Sequence, residues 1–118
     1  MRKGGREYRD YLRDILYAVE RAESFTEGMD FAAFEADEKT AFAVVRALEI
    51  VGEAAKKIPP EVRQKYPDLP WREMAGMRDK LSHDYFGVDL RRVFETVRRD
   101  LPSLRASLEK MLRDLGED

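Results

Sequence analysis

The chain has 118 residues, 43% hydrophobic and 39% charged, with a formal net charge of −2, one histidine and no cysteine. That is enough apolar material for one modest core and too much for a disordered chain, so a single domain over residues 1–118 is expected. The composition excludes a disulfide framework, a thiolate nucleophile and thiolate metal ligands, and one histidine is too few for a zinc site within one chain.

No metal site and no cofactor is expected. With acidic residues nearly matching basic ones, no global positive field draws the protein onto nucleic acid, so any such binding needs a local patch. No apolar run approaches the ~20 residues that span a bilayer. The N-terminal Met-Arg-Lys-Gly-Gly-Arg-Glu-Tyr has no signal-type apolar stretch, and the expected location is the cytoplasm.

The first predicted helix starts near Glu7. Tyr8, Tyr11, Leu12, Ile15, Leu16, Val19 and Ala22 recur at three- and four-residue steps and make one apolar face. The pattern breaks over Ser24 to Asp30, which contains Gly28, and Asp30 is placed to cap the next helical segment. Phe31 and Phe34 form a short helical lead-in ending near Asp37. From Glu38 to Ile58, Ala41, Val44, Val45, Leu48, Val51, Ala55 and Ile58 form one stripe. Gly52 lies within it, where close packing against a neighbouring helix is expected. Glu49 and Glu53, one turn apart, are placed to pair with arginines across the bundle.

Pro59-Pro60 stops that helix, and Pro60 opens a short turn through Tyr66. Asp68-Leu69-Pro70-Trp71 starts another helix, which runs through Met74, Ala75, Met77, Arg78 and Leu81 and ends between His83 and Phe86. The last helix runs from about Asp89 to Leu115. Its apolar stripe continues across Pro102, which predicts a kink rather than a break. No segment alternates with period two. The expected architecture is all-α, an antiparallel four-helix bundle with short extra helices.

The one histidine sits in Met77-Arg78-Asp79-Lys80-Leu81-Ser82-His83-Asp84-Tyr85-Phe86, the pattern Arg-x-x-x-x-His-x-Tyr. A guanidinium can hold a phosphate and an imidazole can move a proton near neutral pH. On a straight helix Arg78 and His83 point about 140° apart, whereas Asp79 and His83 are neighbours one turn apart. Asp79 is thus an orienter for a His83 base. Metal-free RNA cleavage by the 2′-hydroxyl needs a base, an acid and positive charge on the phosphate. One chain supplies one histidine, and a two-fold dimer that joins two copies of the segment supplies two. The alternative is a surface or interface histidine without chemistry, and a Tyr85 that serves as a core or rim residue.

Downstream, Arg91, Arg98 and Arg105 recur every seven residues, with Arg92 and Arg99 alongside. They form either a rail that tracks phosphates or a solvated helix face. On the first reading Arg91 and Arg92, with Lys80 inside the motif, are candidate RNA contacts.

Residues Met77 to Asp89 resemble the signature of the HepT-like members of the HEPN superfamily. Ile50-Val51-Gly52-Glu53-Ala54-Ala55-Lys56 resembles that family's long-helix segment. The run from Tyr66-Pro67-Asp68 through Trp71-Arg72-Glu73-Met74-Ala75-Gly76 resembles the stretch before its motif. The three blocks stand in order, and the similarity runs from about Tyr8 to Leu112. The resemblance implies a helical homodimer whose motifs line a shared cleft, and a metal-independent endoribonuclease toxin of a type II or type VII toxin–antitoxin system. It implies a minimal, MntA-like nucleotidyltransferase as antitoxin, which silences the toxin by transferring AMP to the motif tyrosine. Carried over by position, Arg78 and His83 are catalytic and Tyr85 is the modified residue. Asp79 departs from the polar, often Asn, residue next to the motif arginine in the superfamily. The alternative is a non-catalytic HEPN adaptor or nucleotide-binding subunit that partners the nucleotidyltransferase.

Overall fold

The structure, a computed structural model, describes residues 6–77, 79 and 88–116. It is all-α, and no strand occurs among the described residues. Helix α1 spans Tyr8–Phe25, α2 Phe31–Ala36, α3 Glu38–Ala55, α4 Pro60–Lys65, α5 Trp71–Ala75, α6 Leu90–Glu95 and α7 Leu101–Asp114. A π-helical turn, Thr96–Asp100, joins α6 to α7.

Helix α1 begins where the sequence places it. The backbone N–H of Glu7 donates to the Asp10 carboxylate (3.0 Å), which meets one of the donors a helix start leaves open. Its apolar stripe buries Leu12, Ile15, Val19 and Ala22, and α1 packs along α3 more extensively than any other pair of elements. The facing stripe of α3 buries Val44, Leu48, Val51 and Ala55. Gly52 is buried on that helix as well. Helix α3 ends at Ala55 rather than Ile58, yet Ile58 still reaches the core at 1% exposure.

Aspartates set the starts of the next helices. The Asp30 carboxylate accepts from Ala33 N–H (2.8 Å) and opens α2. Asp37 accepts from both Thr40 N–H (3.1 Å) and Thr40 Oγ1 (2.7 Å) and opens α3. These hydrogen bonds, the hydroxyl's foremost, hold the Asp37 carboxyl below the usual carboxylate range. Gly28 takes φ +79° in the turn between α1 and α2, a conformation that suits glycine.

The last helical stretch passes through Pro102 by way of the π-helical turn, with Pro102 in the first turn of α7. A proline inside a helix lacks the N–H and crowds the carbonyl four residues back, here that of Arg98. The π turn lies over that carbonyl and absorbs the conflict. Val97, Leu101, Leu104, Leu108 and Met111 remain buried across the junction.

Candidate ribonuclease motif and its surroundings

The candidate site is suspended between two anchored stretches. On the upstream side, Leu69, Trp71, Met74 and Met77 are buried. The Trp71 indole N–H donates to the Tyr66 carbonyl (2.9 Å), which fixes the entry of α5. The chain is helical again at Met77 and Asp79, and Asp79 is exposed. On the downstream side, the Asp89 carboxylate accepts from Arg92 N–H (3.1 Å) and caps α6, while Val93 is fully buried. Arg78, Lys80, His83 and Tyr85 lie outside the described residues, and so do the helix end expected between His83 and Phe86 and the Asp79–His83 pairing.

The arginines spaced by seven reach back over the first half of the chain. The Arg91 guanidinium lies 4.0 Å from the centroid of the Phe31 ring. Arg98 donates to the backbone carbonyls of Thr26 (2.7 Å) and Met29, and its guanidinium lies 4.8 Å from the Phe94 ring. Arg105 donates through Nε to Glu23 (2.7 Å). Phe31 and Phe34 pack against Phe94 with centroids 5.9 and 5.3 Å apart, so the cations cover an aromatic cluster that joins α2 to α6. Neither the free rail nor the plain solvated face describes Arg98 and Arg105, which clasp the α1–α2 corner to the last helix. Arg92 is exposed beside this clasp.

Glu49 and Glu53 do find an arginine, on their own helix rather than across the bundle. Arg46 Nη1 lies 3.3 Å from Glu49 and 3.5 Å from Glu53. Helical spacing of three and seven residues places all three on one exposed face.

Helix α3 also carries an exposed aromatic residue outside its apolar stripe. Phe42 is 71% exposed, and a groove of about 300 Å³ beside it is lined by Val45, Val88 and Leu90 together with Glu35 and Glu38. Apolar periodicity does not mark it, since Phe42 falls one position out of phase with the buried Ala41, Val44 and Leu48. Val88 ties this apolar surface to the downstream edge of the motif. No helix among the described residues is long and apolar enough to cross a membrane.

Comparison with known proteins gives a consistent picture. The family model described as Ribonuclease HepT-like matches residues 15–111, a span that encloses the whole motif. A protein of Thermococcus cleftensis named "Probable ribonuclease HepT" is 54% identical over 106 residues, covering 90% of this chain and 96% of that one. A protein of Methanocaldococcus jannaschii named as a candidate RNase is 45% identical over 112 residues, covering 95% and 97%. Another from Caldanaerobacter subterraneus subsp. tengcongensis, also named as a candidate RNase, is 43% identical over 105 residues, covering 89% and 94%. No solved structure gives a significant match. The Arg-x-x-x-x-His-x-Tyr motif therefore stands inside a match that covers most of the chain, and the chain belongs to the Ribonuclease HepT-like family.

Proposed function

We propose that this protein is a metal-independent endoribonuclease that acts as a homodimer and serves as the toxin of a toxin–antitoxin pair. The observation that carries the reading is the family match over residues 15–111, which holds Arg78, His83 and Tyr85 at the motif's spacing. In the proposed reaction one imidazole removes the proton of a ribose 2′-hydroxyl. The O2′–P bond forms, the P–O5′ bond breaks, and a second imidazole protonates the departing O5′. The products are a 2′,3′-cyclic phosphate and a 5′-hydroxyl, and neither water nor a metal ion enters the balance. Arg78 carries the developing charge on the phosphate, Asp79 orients His83, and Lys80, Arg91 and Arg92 hold the flanking RNA.

The second imidazole comes from a second copy of the chain, and the Phe42 face is the surface we assign to it. With a two-fold axis through Phe42 and the two α3 helices antiparallel, residues equally far from Phe42 meet. Arg46, four residues on, then faces Glu38 of the partner subunit, four residues back, twice over. The apolar groove of Val45, Val88 and Leu90 receives the partner's Phe42.

The partner of this dimer is a minimal nucleotidyltransferase antitoxin. It joins the Tyr85 phenol oxygen to the α-phosphorus of ATP, releasing pyrophosphate and leaving AMP on the tyrosine. The added phosphodiester repels RNA from the cleft. One feature favours a second reading. Asp79 places an exposed carboxylate next to the motif arginine in the chain, which weakens anion binding and suits a non-catalytic adaptor of the same nucleotidyltransferase.

RNA cleavage by the purified protein in EDTA tests the first reading, with loss of cleavage expected in His83→Ala and Arg78→Ala. Full activity in His83→Ala, or activity abolished by EDTA, overturns it. A wild-type chain that neither cuts RNA nor arrests growth when expressed alone establishes the adaptor. For the modification, intact mass after co-expression with the partner should rise in AMP steps, and the rise should vanish in Tyr85→Phe.

A further inference from the structure

A chain of net charge −2 needs a local patch to hold RNA, and the clasp at the α1–α2 corner commits Arg98 and Arg105 to the fold. Besides the exposed Arg92, uncommitted cations lie elsewhere. Residues 56–75 carry five cations, Lys56, Lys57, Arg63, Lys65 and Arg72, against three carboxylates. None of the five makes an ion pair among the described residues.

Two of them share a concavity. A groove of about 480 Å³ is lined by Pro60, Arg63, Gln64, Trp71, Arg72 and Ala75, where α4 meets α5. The Nε of Arg63 is sealed from water, and so from any ligand, and meets no acceptor, so its burial costs the guanidinium some stability and a phosphate can bond it only through its terminal nitrogens. The Trp71 ring is 8% exposed with its N–H already used by the Tyr66 carbonyl, so it acts as a fixed wall rather than a mobile stacking platform.

We propose that this groove is a phosphodiester-binding subsite for single-stranded RNA, in which Arg63 and Arg72 each hold one backbone phosphate and the Gln64 amide bonds the sugar between them. The proposal deepens the ribonuclease reading and rests on it for the identity of the ligand. The placement fits the chemistry. Arg72 and Ala75 lie on α5, and Met77, at the motif's edge, follows Ala75 after the single turn residue Gly76. The groove thus adjoins the motif in sequence. Arginine suits such a role because its planar fork matches phosphate oxygens.

The test is the salt dependence of RNA binding, read by fluorescence anisotropy with a 2′-O-methyl RNA oligomer that offers no attacking hydroxyl. Each phosphate contact to a single strand contributes about 0.7 to the slope of log K against log salt. Arg63→Ala/Arg72→Ala should lower the slope by about 1.4. Arg63→Lys/Arg72→Lys should restore most of it, and Lys110→Ala, exposed on α7, should leave it unchanged. Far-UV circular dichroism of each variant confirms folding, and Arg72→Ala alone, a change at an exposed position, gives a drop of about 0.7 should the double variant unfold. An unchanged slope in Arg72→Ala and the double variant, or no RNA binding by the wild type, overturns the subsite. Cleavage of unmodified RNA is measured separately. A wild type that cuts RNA with an unchanged slope in the variants sinks the groove alone, and a wild type that fails to cut but shows the lowered slope sinks the ribonuclease reading alone.

Discussion

Replacing Arg98 with alanine separates a structural arginine from an RNA-holding one. The side chain makes two charge-assisted hydrogen bonds to carbonyls of the α1–α2 turn, and Thr26, which supplies one of them, is fully buried. Such bonds contribute about 1.5–3 kcal/mol each, and the exposed position of the guanidinium argues for the lower end. The contact with Phe94 adds about 0.5 kcal/mol. Freeing the long side chain returns about 1–2 kcal/mol of conformational entropy. The net loss is about 2 kcal/mol. For a chain of this length the unfolding entropy is about 250 cal/mol/K, so the melting temperature should fall by about 8 °C. Urea unfolding followed by the fluorescence of Trp71, the one tryptophan, measures the loss directly. Arg98→Lys should recover only part of it, because an ammonium can donate to both carbonyls but lacks the planar guanidinium that lies over the Phe94 ring. An Arg98→Ala protein of unchanged stability whose RNA salt slope drops by about 0.7 would refute the clasp and restore the phosphate rail.

Three further outcomes are expected. On the proposed dimer, Phe42→Glu should sediment as a monomer where the wild type sediments as a dimer, and should lose RNA cleavage, whereas a dimeric and active variant removes α3 from the interface. Trp71→Phe leaves the Tyr66 carbonyl without its indole donor. It should cost about 1 kcal/mol by urea titration and reduce cleavage as well, since α5 feeds the motif. Asp37 has its carboxyl held below the ordinary range in the folded state, so its contribution to stability is complete above the unfolded value near ~4 and disappears as pH falls through the lower folded value. Thermal melts from pH 6 to pH 2 should therefore show a smaller acid-induced loss for Asp37→Asn than for the wild type, and parallel curves would contradict the assignment.

Much of the fold is legible in the sequence because it depends on local chemistry. The Asp30 cap, the stripes of α1 and α3, the stop at Pro59-Pro60 and the passage of the last helix through Pro102 all derive from residue type and spacing. What the sequence withholds is choice of partner. Arg91, Arg98 and Arg105 show their repeat openly, but only the folded chain reveals that carbonyls of residues 26 and 29, the Phe31 ring and Glu23 lie within their reach. Arg46 likewise takes both glutamates on its own helix, where a partner across the bundle was expected. Phe42 escapes notice in the sequence because apolar periodicity marks residues in phase and is silent on one out of phase. The motif itself is visible as three residue types at fixed spacing. Its geometry depends on residues 78 and 80–87, which lie outside the described residues.

The wide turn at Thr96–Asp100 has a consequence for how this chain can change in length. Two successive four-residue steps, Val93 to Val97 to Leu101, overshoot a regular helix by about 40° each, which is the mark of a single supernumerary residue taken up as a π turn. Losing one amino acid there would let the winding relax to the ordinary pitch with Leu104, Leu108 and Met111 still facing inwards, provided Pro102 were replaced as well, since its ring would otherwise meet the carbonyl one turn back. Losing one anywhere else along α7 would swing every later side chain by about 100°. The last helix thus has one position where its length is negotiable, between the motif and the C-terminal half of the core.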